Sequence, residues 1–162
     1  MTPGVSIRAM RPGDNAAVAQ IIRGVMTEFG AVGCGYSIGD AEVDAMYEAY
    51  PAPLSAFFVV EDEGRVLGCG GFGPLAGADA ETCELRKMYF LPELRGRGMG
   101  AALMDTILES ARAAGYERCY LETVERMEKS RALYARCGFR VIDEPLGNTV
   151  HGSCNHWMLL EL

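Results

Sequence analysis

The period of the apolar positions changes along this chain, and each change marks an element. Val5 to Met10 alternates apolar with polar side chains, the period of a half-buried strand, and Arg11-Pro12-Gly13 breaks it. Behind Asp14, which reads as an N-cap, Val18, Ile21, Ile22, Val25, Met26 and Phe29 recur at helical spacing up to Gly30. Ala31 to Gly39 reads as a loop. Asp40 then reads as the cap of a second helix, 40–49, carrying Val43, Met46 and Tyr47 and stopped by Pro51 and Pro53. This helix–loop–helix reads either as the wall of a binding site or as a simple connector. Ala56 to Glu61 and Arg65 to Phe72 are strands joined by Asp62-Glu63-Gly64, a hairpin. Gly68, Gly70 and Gly71 weaken the second of them and point to a bulge, or to backbone approaching a ligand.

The second half changes period in a different order. Thr82 to Phe90 is a strand ending before Pro92, and Leu103, Ile107, Leu108 and Ala111 lie on one stripe of a helix, 101–114, closed by Gly115. Cys119 to Thr123 is a strand, Glu128 to Cys137 a short helix stopped by Gly138, Phe139 to Ile142 a strand, and His156 to Leu160 a closing strand. A strand, a crossover helix and another strand normally pair in parallel. The expected class is therefore α/β, a mixed sheet that is antiparallel at first and then contains a strand–helix–strand unit.

Between strand 82–90 and its helix lies Arg95-Gly96-Arg97-Gly98-Met99-Gly100. The first N–H groups of a helix lack internal partners, and the helix dipole favours an anion there. Gly96, Gly98 and Gly100 let a ligand come close, and Arg95 and Arg97 offer bidentate contacts to phosphate oxygens. The spacing is neither Walker A nor the dinucleotide fingerprint. By itself the stretch reads equally as an ordinary glycine-rich turn with two solvated arginines.

Composition narrows the class further. A length of 162 residues suits one domain, 1–162, and 49% hydrophobic with 23% charged residues is a globular composition. A net charge of −7 argues against nucleic acid and is compatible with cationic substrates such as amines. No apolar run approaches a membrane span, and the N-terminus has no apolar signal-peptide core. The six cysteines, Cys34, Cys69, Cys83, Cys119, Cys137 and Cys154, form no C-x-x-C pair and read as reduced thiols of a cytoplasmic protein. His151, Cys154 and His156 lack a fourth ligand and a standard metal spacing, so no metal is expected.

The whole then resembles the GNAT superfamily of acetyl-CoA-dependent N-acetyltransferases. Arg95-x-x-Gly98-x-Gly100 is similar to its Q/R-x-x-G-x-G/A signature, and Leu133-Tyr134-Ala135-Arg136-Cys137-Gly138-Phe139 to its L-Y-x-x-x-G-F helix ending. The element order fits as well. The resemblance implies a mostly antiparallel sheet with a parallel central pair, flanked by about four helices, and often a homodimer. It implies the pyrophosphate of acetyl-CoA on the amides of Arg95, Gly96, Arg97, Gly98, Met99 and Gly100. The pantetheine arm would run along Met88, Tyr89 and Phe90, where strands 82–90 and 119–123 splay apart.

The resemblance also assigns the chemistry: direct attack of a primary amine of a small molecule on the thioester, with Tyr134 protonating the leaving thiolate. A phenol, with a reference pKa near 10, is protonated at neutral pH and suits that task. Glu84 falls where some members keep a glutamate base, and Arg86, two residues on, faces the same side of a regular strand. Glu122, His151 or water remain open for the same role. Met127 and Ser130 stand where many members have Asn and Ala. Ser130, one turn before Tyr134, takes over the cofactor contact that the Asn would make. Two further readings fit the same motifs, a protein or peptide N-terminal acetyltransferase and a CoA-binding sensor without turnover.

Overall fold

The structure, a computed structural model, describes residues 3–33, 35–149 and 151–162. Cys34, expected as a reduced thiol, lies outside the described residues. Among the described residues there are seven strands: β1 (Val5–Ala9), β2 (Ala56–Asp62), β3 (Arg65–Pro74), β4 (Thr82–Phe90), β5 (Arg118–Thr123), β6 (Arg140–Ile142) and β7 (His156–Glu161). They form one sheet in the order β1-β2-β3-β4-β5-β7-β6. β4 and β5 are parallel, and the other neighbours are antiparallel. The helices are α1 (Asn15–Glu28), α2 (Met46–Ala49), α3 (Met99–Ala113) and α4 (Glu128–Arg136).

The strand period of two divides the core between the sheet's faces. Val59 packs with Val18, Ile21 and Ile22 of α1, Val43 and Met46. Its neighbour Val60 packs on the opposite side with Leu103, Met104 and Ile107 of α3 and Tyr134 of α4. The β2–β3 hairpin turns on Glu63 and Gly64, whose φ of 48° and 82° suit a two-residue turn that follows the strand twist.

The glycines of β3 serve close packing of the protein on itself. A Cβ at Gly71 would strike the Ala56 carbonyl and the Phe57 ring, and one at Gly70 would sit 3.2 Å from Met88 and Ile107. The expected bulge is present on β3, where Val60 pairs with Gly68 and Glu61 with Val66 so that Leu67 is extra, and a second lies on the partner strand β4. Cys69 pairs with Tyr89 and Gly71 with Arg86, so β4 carries one extra residue there, and Lys87 takes a φ of 52°.

Two expected caps, Asp14 and Asp40, hold the N-cap positions without a side-chain cap bond. Asp14 stands at the head of α1, but its carboxylate receives the Arg8 guanidinium, at 2.7 Å, and the Arg11 N–H. Asp40 makes no cap bond either. The helix expected at 40–49 is a 3₁₀ stretch, Ala41–Ala45, followed by the single turn of α2. Its carboxylate is engaged by Lys87 and His151, and charge-assisted bonds of that kind are stronger than a cap. α3 begins at Met99, two residues earlier than the apolar stripe indicated.

Candidate active site

β4 and β5 pair only over Thr82, Cys83 and Glu84, opposite Arg118, Cys119 and Tyr120. β5 stays with β7 along its whole length while β4 stays with β3, so the two parallel strands part after Glu84. On one side of this parting lies a long groove; on the other, a small chamber.

The groove encloses about 1240 Å³ and runs between the start of α3 and α4. Met88, Tyr89, Phe90, Arg95, Gly96, Gly98, Met99, Gly100 and Ser130 line it. Gly98 takes a φ of 76° at the N-cap of α3, and no side chain caps that helix. Its first amides therefore face the groove with the positive end of the dipole. A Cβ on Gly96 or Gly98 would meet nothing within 4 Å, whereas one on Gly100 would meet Leu133 at 2.9 Å. Gly100 thus lets α4 close against α3.

The arginines of the turn are differently placed. Arg95 lines the groove, with its guanidinium clamped on both Glu28 oxygens, at 2.7 and 2.8 Å, over the Phe29 ring. The Arg97 side chain is not brought into the groove; it pairs with Asp62 at 3.0 Å. Main-chain amides, rather than these side chains, are the donors the turn leaves available.

The chamber is much smaller, about 40 Å³. Glu84, Arg86, Lys87, Glu122, His151, Cys154 and Tyr36 are among its walls. Met88, Tyr89, Met127 and Tyr134 line both spaces and stand where the two adjoin. Tyr134 is buried against Phe139, and burial pushes its phenol up to about 12, with a hydrogen bond from Ser130 acting against the shift. It is a protonated donor at the junction.

Each charged group of the chamber has a definite partner. Glu84 accepts from Arg86 Nε at 2.7 Å; burial raises its carboxyl above the usual range, Arg86 opposes this and Glu122 adds to it. Glu122 accepts from the hydroxyls of Tyr120, at 2.7 Å, and Thr149, at 2.6 Å. Lys87, its side chain 2% exposed, reaches Asp40 at 2.7 Å and Glu42 at 3.1 Å. His151 Nε2 lies 2.9 Å from Asp40, which raises the imidazole above its ordinary value against the effect of burial. Burial raises Asp40 as well, but its bonds to His151 and Lys87 more than offset this and hold it low. Cys154 is pushed up to about 12 by burial and stays a thiol.

The histidines do not meet as a metal cluster with Cys154. His156 lies on β7 opposite Thr123, whereas His151 joins Glu84 and Glu122, their ligand atoms all within 4.8 Å of one another. Asp40 and Lys87 were not legible as site residues in the sequence. The signal for Lys87 was a lysine among the apolar Leu85, Met88, Tyr89 and Phe90 of one strand; for Asp40 there was none, because its partners lie 47 and 111 residues away.

Against known proteins, residues 24–139 match the Acetyltransferase (GNAT) family. An uncharacterised N-acetyltransferase of Escherichia coli, YjgM, is 45% identical over 150 residues, which is 92% of this chain and 90% of that protein. Among solved structures, an acetyltransferase from Streptococcus agalactiae superposes with a TM-score of 0.85 at 19% identity, over 99% of this chain and 100% of its own. The YncA acetyltransferase of Salmonella typhimurium, solved with acetyl-CoA, gives 0.79 at 23% identity, over 98% and 94%.

Proposed function

Because the chain belongs to the acetyltransferase (GNAT) family, we propose that it moves an acetyl group from acetyl-CoA to a primary amine of a small molecule. The observation that carries this reading is the position of Tyr134, a protonated phenol where the groove and the chamber adjoin. The donor set fits the cosubstrate: an uncapped helix N-terminus suits a diphosphate, and the β4 edge freed from β5 suits an amide-bearing arm. Acetyl-CoA supplies a thioester whose carbonyl carbon accepts the amine and whose sulfur leaves as a thiolate.

The chain's own groups do the rest. The α3 amides hold the anionic end, and Met88, Tyr89 and Phe90 align the arm. Tyr134 gives its proton to the leaving sulfur as the carbon–sulfur bond breaks. Glu84 takes the proton that the amine loses, directly or through one water. Its burial favours this task, since a carboxylate raised from its ordinary range holds a proton better.

The test is mass detection of acetylated product and released CoA over a broad amine panel, with the wild type and Tyr134→Phe. Acetylated amine from the wild type and loss of turnover in the variant are expected. CoA binding with no amine acetylated would overturn the reading.

A further inference from the structure

The charges of the chamber restrict which amine it accepts. Both fixed cations in its walls are already engaged. Arg86 is held by Glu84 and the Pro74 carbonyl, with its guanidinium over the Tyr50 ring. Lys87 is held between Asp40 and Glu42. Of the two lining carboxylates, Glu84 has its arginine. Glu122, its side chain 4% exposed, has no arginine or lysine among the described residues. Two hydroxyls donate to it, and His151 Nδ1 stands 3.7 Å away, beyond a hydrogen bond. The nearest cation to Glu122 is the His151 imidazolium, which is already bonded to Asp40, so this buried carboxylate held by two hydroxyls is complementary to a cation that arrives from outside.

Volume adds a second restriction. At roughly 10–15 Å³ for each water, a chamber of about 40 Å³ has room for about three waters, or for an ammonium with a carbon or two behind it.

We propose that the acceptor is a primary amine at the end of an unbranched alkyl stem, with no carboxylate on the carbon bearing the nitrogen, and that Glu122 selects it. The proposal rests on the transferase reading above. The ammonium pairs with Glu122 as it enters. An α-carboxylate would meet Glu122 and Glu84 with no free cation beside it, and its branch would exceed the room available. Free α-amino acids are therefore excluded by charge and by bulk.

Three stems, each offered as the plain amine, the α-carboxamide and the α-carboxylate, separate these two causes. kcat/KM falls from amine to carboxamide through bulk, and by a further factor of about ten or more from carboxamide to carboxylate through charge. Glu122→Gln keeps one acceptor oxygen for one of the two hydroxyls, and its NH2 donates to the other, which rotates to accept, so the site is expected to stay assembled. It raises KM for the amine by about tenfold and brings carboxylate and carboxamide to within about threefold of each other, while CoA affinity by calorimetry is unchanged. A carboxylate turned over as well as its carboxamide by the wild type overturns the proposal whether or not the variant folds. So does an unchanged preference in Glu122→Gln. Calorimetry of the amines on the CoA complex separates the two readings: an amine that binds without being acetylated refutes the transferase and leaves the selection standing, and an amine that does not bind refutes the selection.

Discussion

Tyr134 and Glu84 differ in what their surroundings do to them. The phenol's ordinary value near 10 already keeps it protonated at neutral pH and burial raises it further, so the acid role proposed for it needs no neighbouring charge. Tyr134→Phe removes one oxygen and leaves the ring against Phe139. It is expected to lower kcat by about a hundredfold or more, the usual weight of a positioned acid, with CoA affinity by calorimetry nearly unchanged. A loss confined to CoA affinity would make the residue a binding group instead. The base role proposed for Glu84 works in the opposite sense, since it needs the ionised form, and burial raises the pH at which that form appears. The acid limb of kcat/KM against pH is therefore expected above the ordinary carboxylate range, near 4.5, and Glu84→Gln should abolish it along with about a hundredfold of rate. Persistence of the limb in the variant would pass the role to Glu122, His151 or water.

At the scale of elements, the end of α3 is the part whose chemistry follows from backbone alone. Gly98 holds a φ of 76° at its start, and Gly115, just past its end, holds 99°; a Cβ on either would meet open space. Gly98→Ala and Gly115→Ala are each expected to cost about 1–2 kcal/mol from the left-handed backbone, lowering Tm by about 2–8 °C. Only Gly98→Ala should also weaken CoA binding, because only that residue lines the groove. Equal affinity losses would mean that the helix as a whole, and not its N-terminus, governs binding. This turn was legible in the sequence because it is local: six consecutive residues carry both the conformation and the helix start that faces the groove. The phenol was legible for the same reason, standing between Leu133 and a Gly-Phe helix ending. Asp40 was half-legible: it holds the N-cap position before Ala41, but its carboxylate turns to Lys87 and His151, partners that a rule on sequence neighbours does not see. The β3 glycines were half-legible. They announced a bulge, which β3 carries at Leu67 with a second on β4, and the close approaches are to Ala56, Phe57 and Met88.

For the molecule as a whole, the chamber is closed by segments the sheet does not join. The stretch after α1 reaches the loop before β7 through a Ser153 N–H to Gly35 carbonyl bond of 3.2 Å and through the Asp40–His151 pair. Four charged groups act on that imidazole: Asp40 at 2.9 Å, Glu122 at 3.7 Å, and Glu84 and Lys87 with opposite effects on its titration. The His151 pKa is raised in the folded chain above 6.5, so the pair's contribution is complete below pH 6.5 and fades as pH rises through the folded value. The Asp40 pKa is lowered below 3.8, so the same contribution is lost on the acid side only as pH falls through that depressed value. Between these limits a charge-assisted bond of this kind contributes about 2 kcal/mol. His151→Gln keeps a side-chain donor and removes the titration. The difference in unfolding free energy between wild type and variant, measured by urea at a series of pH values, should be flat from about pH 5 to 6.5 and shrink above that. A difference that grew with pH would mean that the imidazole is held neutral in the folded state and that the two segments are tied by other contacts.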